Sequence, residues 1–193
     1  MALPQQYLPA LTPEQYLHLE RLSEMRHEFL DGVMYAMAGE SPDHSTICFN
    51  LNGIVHAQLA KHCRGFSPNM KVRTGLGDLY AHPDLMVVCG QPRFHDEHGD
   101  VLLNPTAIFE VLSPSTEKCD RGEKFRRYRT EIESLQDYVP VAQDRMLIEH
   151  HHREADGTWT PNTITGRDGT LTLNSIECQI PLIEVYRNTK VTE

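Results

Sequence analysis

Apolar residues recur along the chain with a helical period in three places, and each place predicts a helix. Thr12-Pro13-Glu14-Gln15 is a capping-box pattern, which predicts a helix from Thr12 to about Met25. Ser41 to Asp43 precedes apolar positions at 47, 51, 54, 55 and 59, which predicts a second helix with Gly65 as its stop. Thr116 to Thr130 is predicted to form a third helix, which is strongly charged.

The segments between these helices have the patterns of strands. Asp31-Gly32 is a two-residue turn signal that predicts a hairpin over His27 to Ala38. Leu85 to Cys89 and Ala107 to Leu112 are apolar apart from Glu110, which is typical of strands buried on both faces. Further strands are predicted around residues 70–72 and at 138–142, 145–150, 158–164 and 170–173. We therefore predict one α/β (α+β) domain over residues 1–193, with a mixed sheet, flanking helices and extra antiparallel strands.

Composition narrows the class of protein. The 193 residues have a net charge of −9 and a mean hydropathy of −0.45. They include no apolar run long enough to span a membrane, and the first ten residues lack the features of a signal peptide. Because the five cysteines (48, 63, 89, 119 and 178) are odd in number and dispersed, in a sequence without an export signal, we expect all of them to be free thiols in a reducing compartment. These features together favour a cytoplasmic protein without a membrane partner.

One segment departs from the acidic balance of the chain. Lys118 to Arg129 contains six basic and two acidic residues, whereas the whole chain is acidic enough to repel nucleic acid. The segment is either a solvated helix face or a local surface for a polyanion such as DNA. If it binds DNA, Arg126 and Arg127 are expected to contribute to affinity.

Two acidic residues lie in or beside strands that are predicted to be buried. Asp84 comes directly before the strand at Leu85, and Glu110 lies inside the next apolar strand. A buried carboxylate is costly unless it is paired, hydrogen-bonded or bound to a metal, so these acids either cap strand ends or hold an ion. Oxygen ligands suit Mg²⁺ or Mn²⁺. Glu28, just before the hairpin turn, is a third acid that either completes the site or lies exposed on its strand.

A lysine follows at a position from which it can reach these acids. Lys124 and Tyr128 are four residues apart and so share one helix face. Their helix follows the Glu110 strand closely enough to fold back on it. Two acids, a metal and a lysine suffice for phosphodiester hydrolysis. His44, at a helix start, either contacts phosphate or the attacking water or is an ordinary capping or exposed residue.

These residues occur in the order seen in a known family. The matching residues are Glu28-Phe29-Leu30-Asp31-Gly32, His44, Pro83-Asp84, the run from Glu110 to Thr116, Asp120, Lys124 and Tyr128. From Tyr7 to Tyr186 the chain resembles the Uma-type restriction-endonuclease family of the PD-(D/E)XK nuclease superfamily. The resemblance implies a restriction-endonuclease-like core and makes Asp84 and Glu110 divalent-metal ligands. The superfamily's usual lysine position is occupied by Leu112, so the resemblance implies that Lys124 has taken over from the next helix.

The sequence therefore predicts a Mg²⁺- or Mn²⁺-dependent endonuclease that acts on DNA as a homodimer. Asp84, Glu110 and the Val111 carbonyl are expected to bind the ion, Lys124 to assist the attacking water, and Glu28 to be an accessory acid. Two alternatives stay open: a catalytically weak DNA- or partner-binding module that keeps the fold, and a hydrolase of another phosphoester. His150-His151-His152 is interpreted as part of a strand, on which alternate side chains face opposite ways, so the three cannot share one ion.

Overall fold

A computed structural model describes residues 10–75 and 79–192 of the chain. Tyr7, the expected start of the core, lies outside these described residues. The helices are α1 (Pro13–Leu22), α2 (Pro42–Gln58), α3 (Glu117–Cys119), α4 (Phe125–Glu131) and α5 (Leu182–Val185), and a π-helical segment (Asp120–Lys124) joins α3 to α4. The first strands are β1 (His27–Leu30), β2 (Val33–Ala36), β3 (Cys63–Phe66), β4 (Lys71–Arg73), β5 (Leu79–Ala81), β6 (Leu85–Cys89) and β7 (Val101–Leu102). The later strands are β8 (Ala107–Leu112), β9 (Asp137–Ala142), β10 (Leu147–Arg153), β11 (Trp159–Thr165), β12 (Thr170–Leu173) and β13 (Cys178–Pro181).

The strands form a six-stranded sheet, a five-stranded sheet and a two-stranded sheet. The six-stranded sheet has the order β11-β10-β9-β8-β6-β3, with β8 parallel to β9 and antiparallel to β6. The five-stranded sheet has the order β2-β1-β5-β4-β7, and β12 pairs with β13. The predicted α/β (α+β) class with a mixed sheet, flanking helices and extra antiparallel strands is confirmed.

Helix starts agree with the sequence prediction, and helix ends agree less well. The backbone N–H of Gln15 donates to the Thr12 hydroxyl and the backbone N–H of Thr12 donates to the Gln15 side chain, the capping box that the sequence predicts. The Ser41 hydroxyl caps α2 by accepting a hydrogen bond from the backbone N–H of His44. The first helix ends at Leu22 rather than Met25, and α2 ends at Gln58. The prediction that Gly65 stops α2 is wrong, because Gly65 lies inside β3, a short strand that the sequence pattern missed.

The central strand β8 is buried on both faces, as its apolar pattern predicts. On one face, Phe109 and Val111 pack in a core that includes Ile47 and Leu51 of α2. On the other face, Ile108 packs with residues of α4 that include Tyr128. Glu110 is therefore on the α4 face of the sheet, between its own buried strand and the buried side of α4. No helix in the described part of the chain is long and apolar enough to cross a membrane.

The expectation of five free thiols is wrong. Cys63 and Cys89 form a disulfide, and Cys48, Cys119 and Cys178 are free. The physical reason is the register of the strand that the sequence pattern missed: β3 runs antiparallel to β6 and places Cys63 directly opposite Cys89. This pairing removes the argument from cysteines for a reducing compartment.

Candidate metal centre at the end of β8

The two predicted metal ligands lie at the same end of two neighbouring strands. Leu85 of β6 pairs with Phe109 of β8, and Asp84 directly precedes this pair while Glu110 directly follows it. The Asp84 carboxylate accepts a 2.7 Å hydrogen bond from the backbone N–H of Val111. Asp84 thus caps the strand end, as one sequence interpretation proposed, and the same contact holds it beside the Glu110 strand.

Lys124 lies among three carboxylates on the α4 face of the sheet. Its Nζ is 2.8 Å from Oε1 of Glu28, 2.9 Å from Oδ1 of Asp120 and 3.8 Å from Oε1 of Glu110. The lysine side chain is only 5% exposed, so these contacts are shielded from water. The Tyr128 hydroxyl donates a 3.3 Å hydrogen bond to Glu110. Lys124 and Tyr128 therefore share one face and both approach Glu110, the geometry that their spacing predicts.

The helix that carries Lys124 is not a regular α-helix. A π-helical segment over Asp120–Lys124 follows α3 and leads into α4. Segments of this kind occur often at functional sites because they change the direction in which side chains leave the helix. Here Asp120 and Lys124, four residues apart, are both buried and in contact.

Burial and charge together determine the protonation of this cluster. Burial raises the pKa of Glu110 well above its usual range, and the nearby Lys124 ammonium only partly opposes that effect. Burial by itself lowers the pKa of Lys124, but Glu110, Glu28 and Asp120 together raise that pKa well above its ordinary value. Lys124 is therefore charged at neutral pH.

The other half of the site lies between Asp84 and α2. The His44 Nε2 donates a 3.0 Å hydrogen bond to the Val111 carbonyl and lies 3.8 Å from Oδ2 of Asp84. Cys48, one turn further along α2, has its Sγ 3.5 Å from Nδ1 of His44. Burial raises the pKa of the Cys48 thiol, and ligand atoms of Cys48, His44 and Asp84 all lie within 4.8 Å of one another. Burial also raises the pKa of Asp84, against the opposing effects of His44 and the Val111 N–H.

The residues of the site fit a divalent cation that prefers oxygen ligands. The Glu110 carboxyl interacts electrostatically with Glu28, Asp84 and Asp120, and among the described residues Lys124 is the ammonium in contact with this group. When these acids are ionised, their negative charge exceeds the charge of Lys124, and a dication would compensate the excess. The Val111 carbonyl uses one lone pair for His44 and keeps a second one. This donor set suits Mg²⁺ or Mn²⁺.

Most of the cations in the basic segment Lys118 to Arg129 are used inside the protein. Arg121 pairs with Glu149 at 2.8 Å, and Arg126 pairs with Glu123 at 2.7 Å. Arg127 is buried, and its guanidinium bonds both Asp31 and Glu123 at 2.7 Å. The prediction that Arg127 serves DNA affinity is therefore not supported by its position, because a phosphate could reach it only by displacing these carboxylates.

The fold brings two further residues to this site: Asp120, which the family resemblance includes without a role, and Cys48, which the sequence analysis missed. Asp120 contacts Lys124, and Cys48 contacts His44. Each pair has i,i+4 spacing, the available sequence signal. The predicted residues fall into two groups that meet at the junction of Glu110 and Val111. Glu28, Glu110 and Lys124 lie on one side, and Asp84 and His44 lie on the other.

Comparison with known proteins shows the family of the chain. Residues 13–182 match the model of the Uma2 family, which is described as "Putative restriction endonuclease". The chain belongs to the Uma2 family. The predicted resemblance to a Uma-type family is thereby confirmed, and the matched range includes every residue of the candidate metal centre.

Relatives and a solved structure agree with this assignment. An uncharacterized protein of Synechocystis sp. is 35% identical over 185 residues, 95% of each chain. A second uncharacterized Synechocystis protein is 30% identical over 162 residues, which cover 83% of this chain and 91% of the relative. A crystal structure from Anabaena variabilis, described as a "putative nuclease belonging to DUF820", superposes with a TM-score of 0.74 at 16% identity. It covers 91% of this chain and 97% of its own, and it shows that this Uma2 protein has the same fold.

Proposed function

We propose that this Uma2 protein is a Mg²⁺- or Mn²⁺-dependent endonuclease that hydrolyses phosphodiester bonds in DNA. The observation that carries the proposal is the group of acids at adjoining ends of β6 and β8: Lys124 contacts Glu28, Glu110 and Asp120, and Asp84 interacts electrostatically with Glu110. The family description supports the reaction class. In this proposal, the Asp84 and Glu110 carboxylates and the Val111 carbonyl are the protein ligands of the ion.

The bound ion would neutralise phosphate charge and lower the pKa of a water molecule. Lys124 has three N–H donors, of which one bonds Glu28 at 2.8 Å, and its Nζ also forms an ion pair with Asp120 at 2.9 Å. Glu110, at 3.8 Å, is too distant for a normal hydrogen bond, so at least one donor is left for the attacking water or a phosphate oxygen. Glu28 and Asp120 then act as positioning residues that fix the ammonium.

His44 is assigned a positioning role by its contacts. Its hydrogen bond to the Val111 carbonyl and its closeness to Asp84 link the start of α2 to the ends of β6 and β8. We propose that His44 orients these two groups for the ion. The other role predicted from sequence is a contact between His44 and phosphate. For that contact, one ring nitrogen would have to leave its present partner, the Val111 carbonyl or the Cys48 thiol.

Plasmid cleavage tests the proposal. Wild-type protein with Mg²⁺ or Mn²⁺ should convert supercoiled plasmid into nicked or linear forms, and Asp84→Asn should slow this conversion by at least about 100-fold. Asp168→Asn is the matched control, since Asp168 is exposed on the turn between β11 and β12. Equal cleavage by wild type and Asp84→Asn would contradict the proposal.

The alternative of a catalytically weak binding module is favoured by one observation. Lys124 is already paired with Glu28 and Asp120. The position two residues after Glu110, where the superfamily usually has its lysine, holds the buried Leu112. That alternative predicts DNA binding that does not respond to Mg²⁺ or to Asp84→Asn, with no cleavage of any phosphodiester. We further propose that the protein acts as a homodimer in the cytoplasm.

A further inference from the structure

A second cluster of metal-ligating side chains lies on the opposite face of the six-stranded sheet from Glu110. Asp137 begins β9 and pairs with Ala107, three residues before Glu110 on β8. Ala107 belongs to the core on the α2 face, and its partner Asp137 therefore faces the same way. The sheet thus separates the cluster from Glu110 and Lys124, and its interpretation does not depend on the proposed function.

Two histidines of β10 converge on Asp137. Nε2 of His150 and Nδ1 of His152 are each 2.7 Å from Oδ1 of Asp137. Ligand atoms of these three residues all lie within 4.8 Å of one another. The Ser175 hydroxyl, from the loop between β12 and β13, donates a hydrogen bond to the other carboxylate oxygen.

The histidine between them faces the other way. The His151 ring packs against Phe125, with ring centroids 4.4 Å apart. The prediction that alternate histidines point to opposite faces, so that all three cannot share an ion, agrees with this geometry. What the sequence pattern missed is that strand pairing brings Asp137 opposite His152.

We propose that Asp137, His150 and His152 bind a zinc ion. Two imidazole nitrogens and one carboxylate oxygen form a set of three protein ligands that suits Zn²⁺ better than Mg²⁺. Both nitrogens face the same oxygen of Asp137, so the three side chains need to separate only slightly for one ion to bind between them. Asp137 is 1% exposed and fixes its side of the site, whereas His152 is 37% exposed and leaves access for the ion and a water ligand.

Ser175 orients the Asp137 carboxylate through its hydrogen bond and does not itself bind the ion. Hydrogen bonds from such neighbours orient metal-binding carboxylates and commonly change metal affinity by about 10–100-fold. Through Ser175, the zinc site links the hairpin of β9 and β10 to the loop before β13. Its function in this proposal is structural, since it lies on the other face of the sheet from Lys124 and Glu110.

Zinc titration of the tag-free, EDTA-dialysed full chain tests the inference. Wild type should bind one Zn²⁺ per chain, and His152→Gln should weaken binding by more than about 100-fold, because a direct ligand matters more than a neighbour. His151→Gln, on the same strand but facing Phe125, is the matched control and should bind like wild type. Ser175→Ala should weaken binding by about 10–100-fold.

Two further readouts distinguish this site from the acidic cluster. The double variant Asp84→Asn/Glu110→Gln should keep its zinc, and Zn²⁺ should raise the Tm of wild type but not that of His152→Gln. If His152→Gln fails to fold, the visible absorption of Co²⁺-substituted wild type reports imidazole ligation instead. The inference is overturned if wild type binds less than one Zn²⁺, if His152→Gln binds as tightly as wild type, or if only the acidic double variant loses the metal.

Discussion

At the scale of single residues, Lys124 is the side chain with the most specific proposed role, that of assisting the attacking water. Its ammonium is buried and holds Glu28 and Asp120 while it lies near Glu110. A charge in this position costs desolvation energy, which the three carboxylates offset. Such a group is suited to orient a water molecule or stabilise charge that develops on phosphate.

Replacement of Lys124 should separate catalysis from metal binding. Lys124→Met keeps the apolar stem and removes the ammonium, and we expect plasmid cleavage to slow by about 10²–10³-fold. Mn²⁺ binding, followed by electron paramagnetic resonance, should persist because an ammonium does not coordinate metal. Lys61→Met is the control, because Lys61 is exposed and far from the site. It precedes β3 and lies near Cys89, at the opposite end of β6 from Asp84. Cleavage at the wild-type rate by Lys124→Met would show that the lysine has no part in the reaction.

Several site residues could be predicted because their local pattern is unusual. Glu110 interrupts an apolar strand, Asp84 begins another, and Lys124 shares a helix face with Tyr128. Asp120 was harder to assign because its contact depends on a π-helical segment that the sequence pattern did not reveal. Cys48 was missed because its closeness to His44 and Asp84 depends on how α2 packs against β8.

At the scale of elements, the long periodic segments were predictable and the short ones were not. β8 has the predicted bounds Ala107–Leu112, because five apolar residues with one acid among them leave little choice. β5 and β7 have only three and two residues, so their existence depends on partners elsewhere in the chain. Gly65 shows the same limitation, since a glycine pattern alone does not distinguish a helix end from a strand.

The Cys63–Cys89 disulfide should stabilise the pairing of β3 with β6. The two cysteines are 26 residues apart, and closure of a loop of this size is worth about 3 kcal/mol of unfolding free energy. Urea unfolding with and without dithiothreitol measures this difference. In the unreduced, unfolded protein we expect three titratable thiols, from Cys48, Cys119 and Cys178. Five thiols and no effect of dithiothreitol would contradict the pairing.

An ion-pair group joins α1 to the strands β4 and β7 and should respond to acid. Arg21 bonds Asp100 at 2.7 Å, and Lys71 lies 3.1 Å from it. The hydrogen bond from Arg21 and, to a lesser extent, the contact with Lys71 lower the pKa of Asp100 below its usual value, despite some burial. This group therefore stabilises the fold above the unfolded-state pKa of about 3.9, and the contribution is lost as the pH falls below it.

The Asp100→Asn variant tests that sign. It should have a lower Tm than wild type near neutral pH, and the difference should shrink as the pH falls below about 4, where the wild-type carboxylate loses its advantage. Thermal unfolding followed by circular dichroism at a series of pH values measures it, with the exposed Asp168→Asn as control. A difference that grows toward low pH would mean that the pKa of Asp100 shifts in the other direction.

At the scale of the whole molecule, charge and oligomeric state determine how DNA could be held. The net charge of −9 repels a polyanion, and internal pairs already use Arg121, Arg126 and Arg127. A second copy would supply a second site for the opposite strand and additional contacts. The expectation of one domain over residues 1–193 stays a prediction, which a single cooperative unfolding transition would support.

The homodimer is a prediction that light scattering can decide. At micromolar concentration we expect a mass twice the 22.0 kDa of one chain. If the dimer is what holds DNA, dilution below its dissociation constant should reduce cleavage per chain more than proportionally. A mass of one chain at all concentrations, with full activity, would contradict it.

The most direct test of the account is the position of Mn²⁺ in a crystal soaked with the ion, located by anomalous diffraction. We expect a peak between the carboxylates of Asp84 and Glu110, next to the Val111 carbonyl, with bonds of about 2.0–2.6 Å. Lys124 should remain beside the peak without touching the ion. Carboxylates more than about 8 Å apart, or Mn²⁺ bound elsewhere with neither acid as a ligand, would contradict the proposed metal centre.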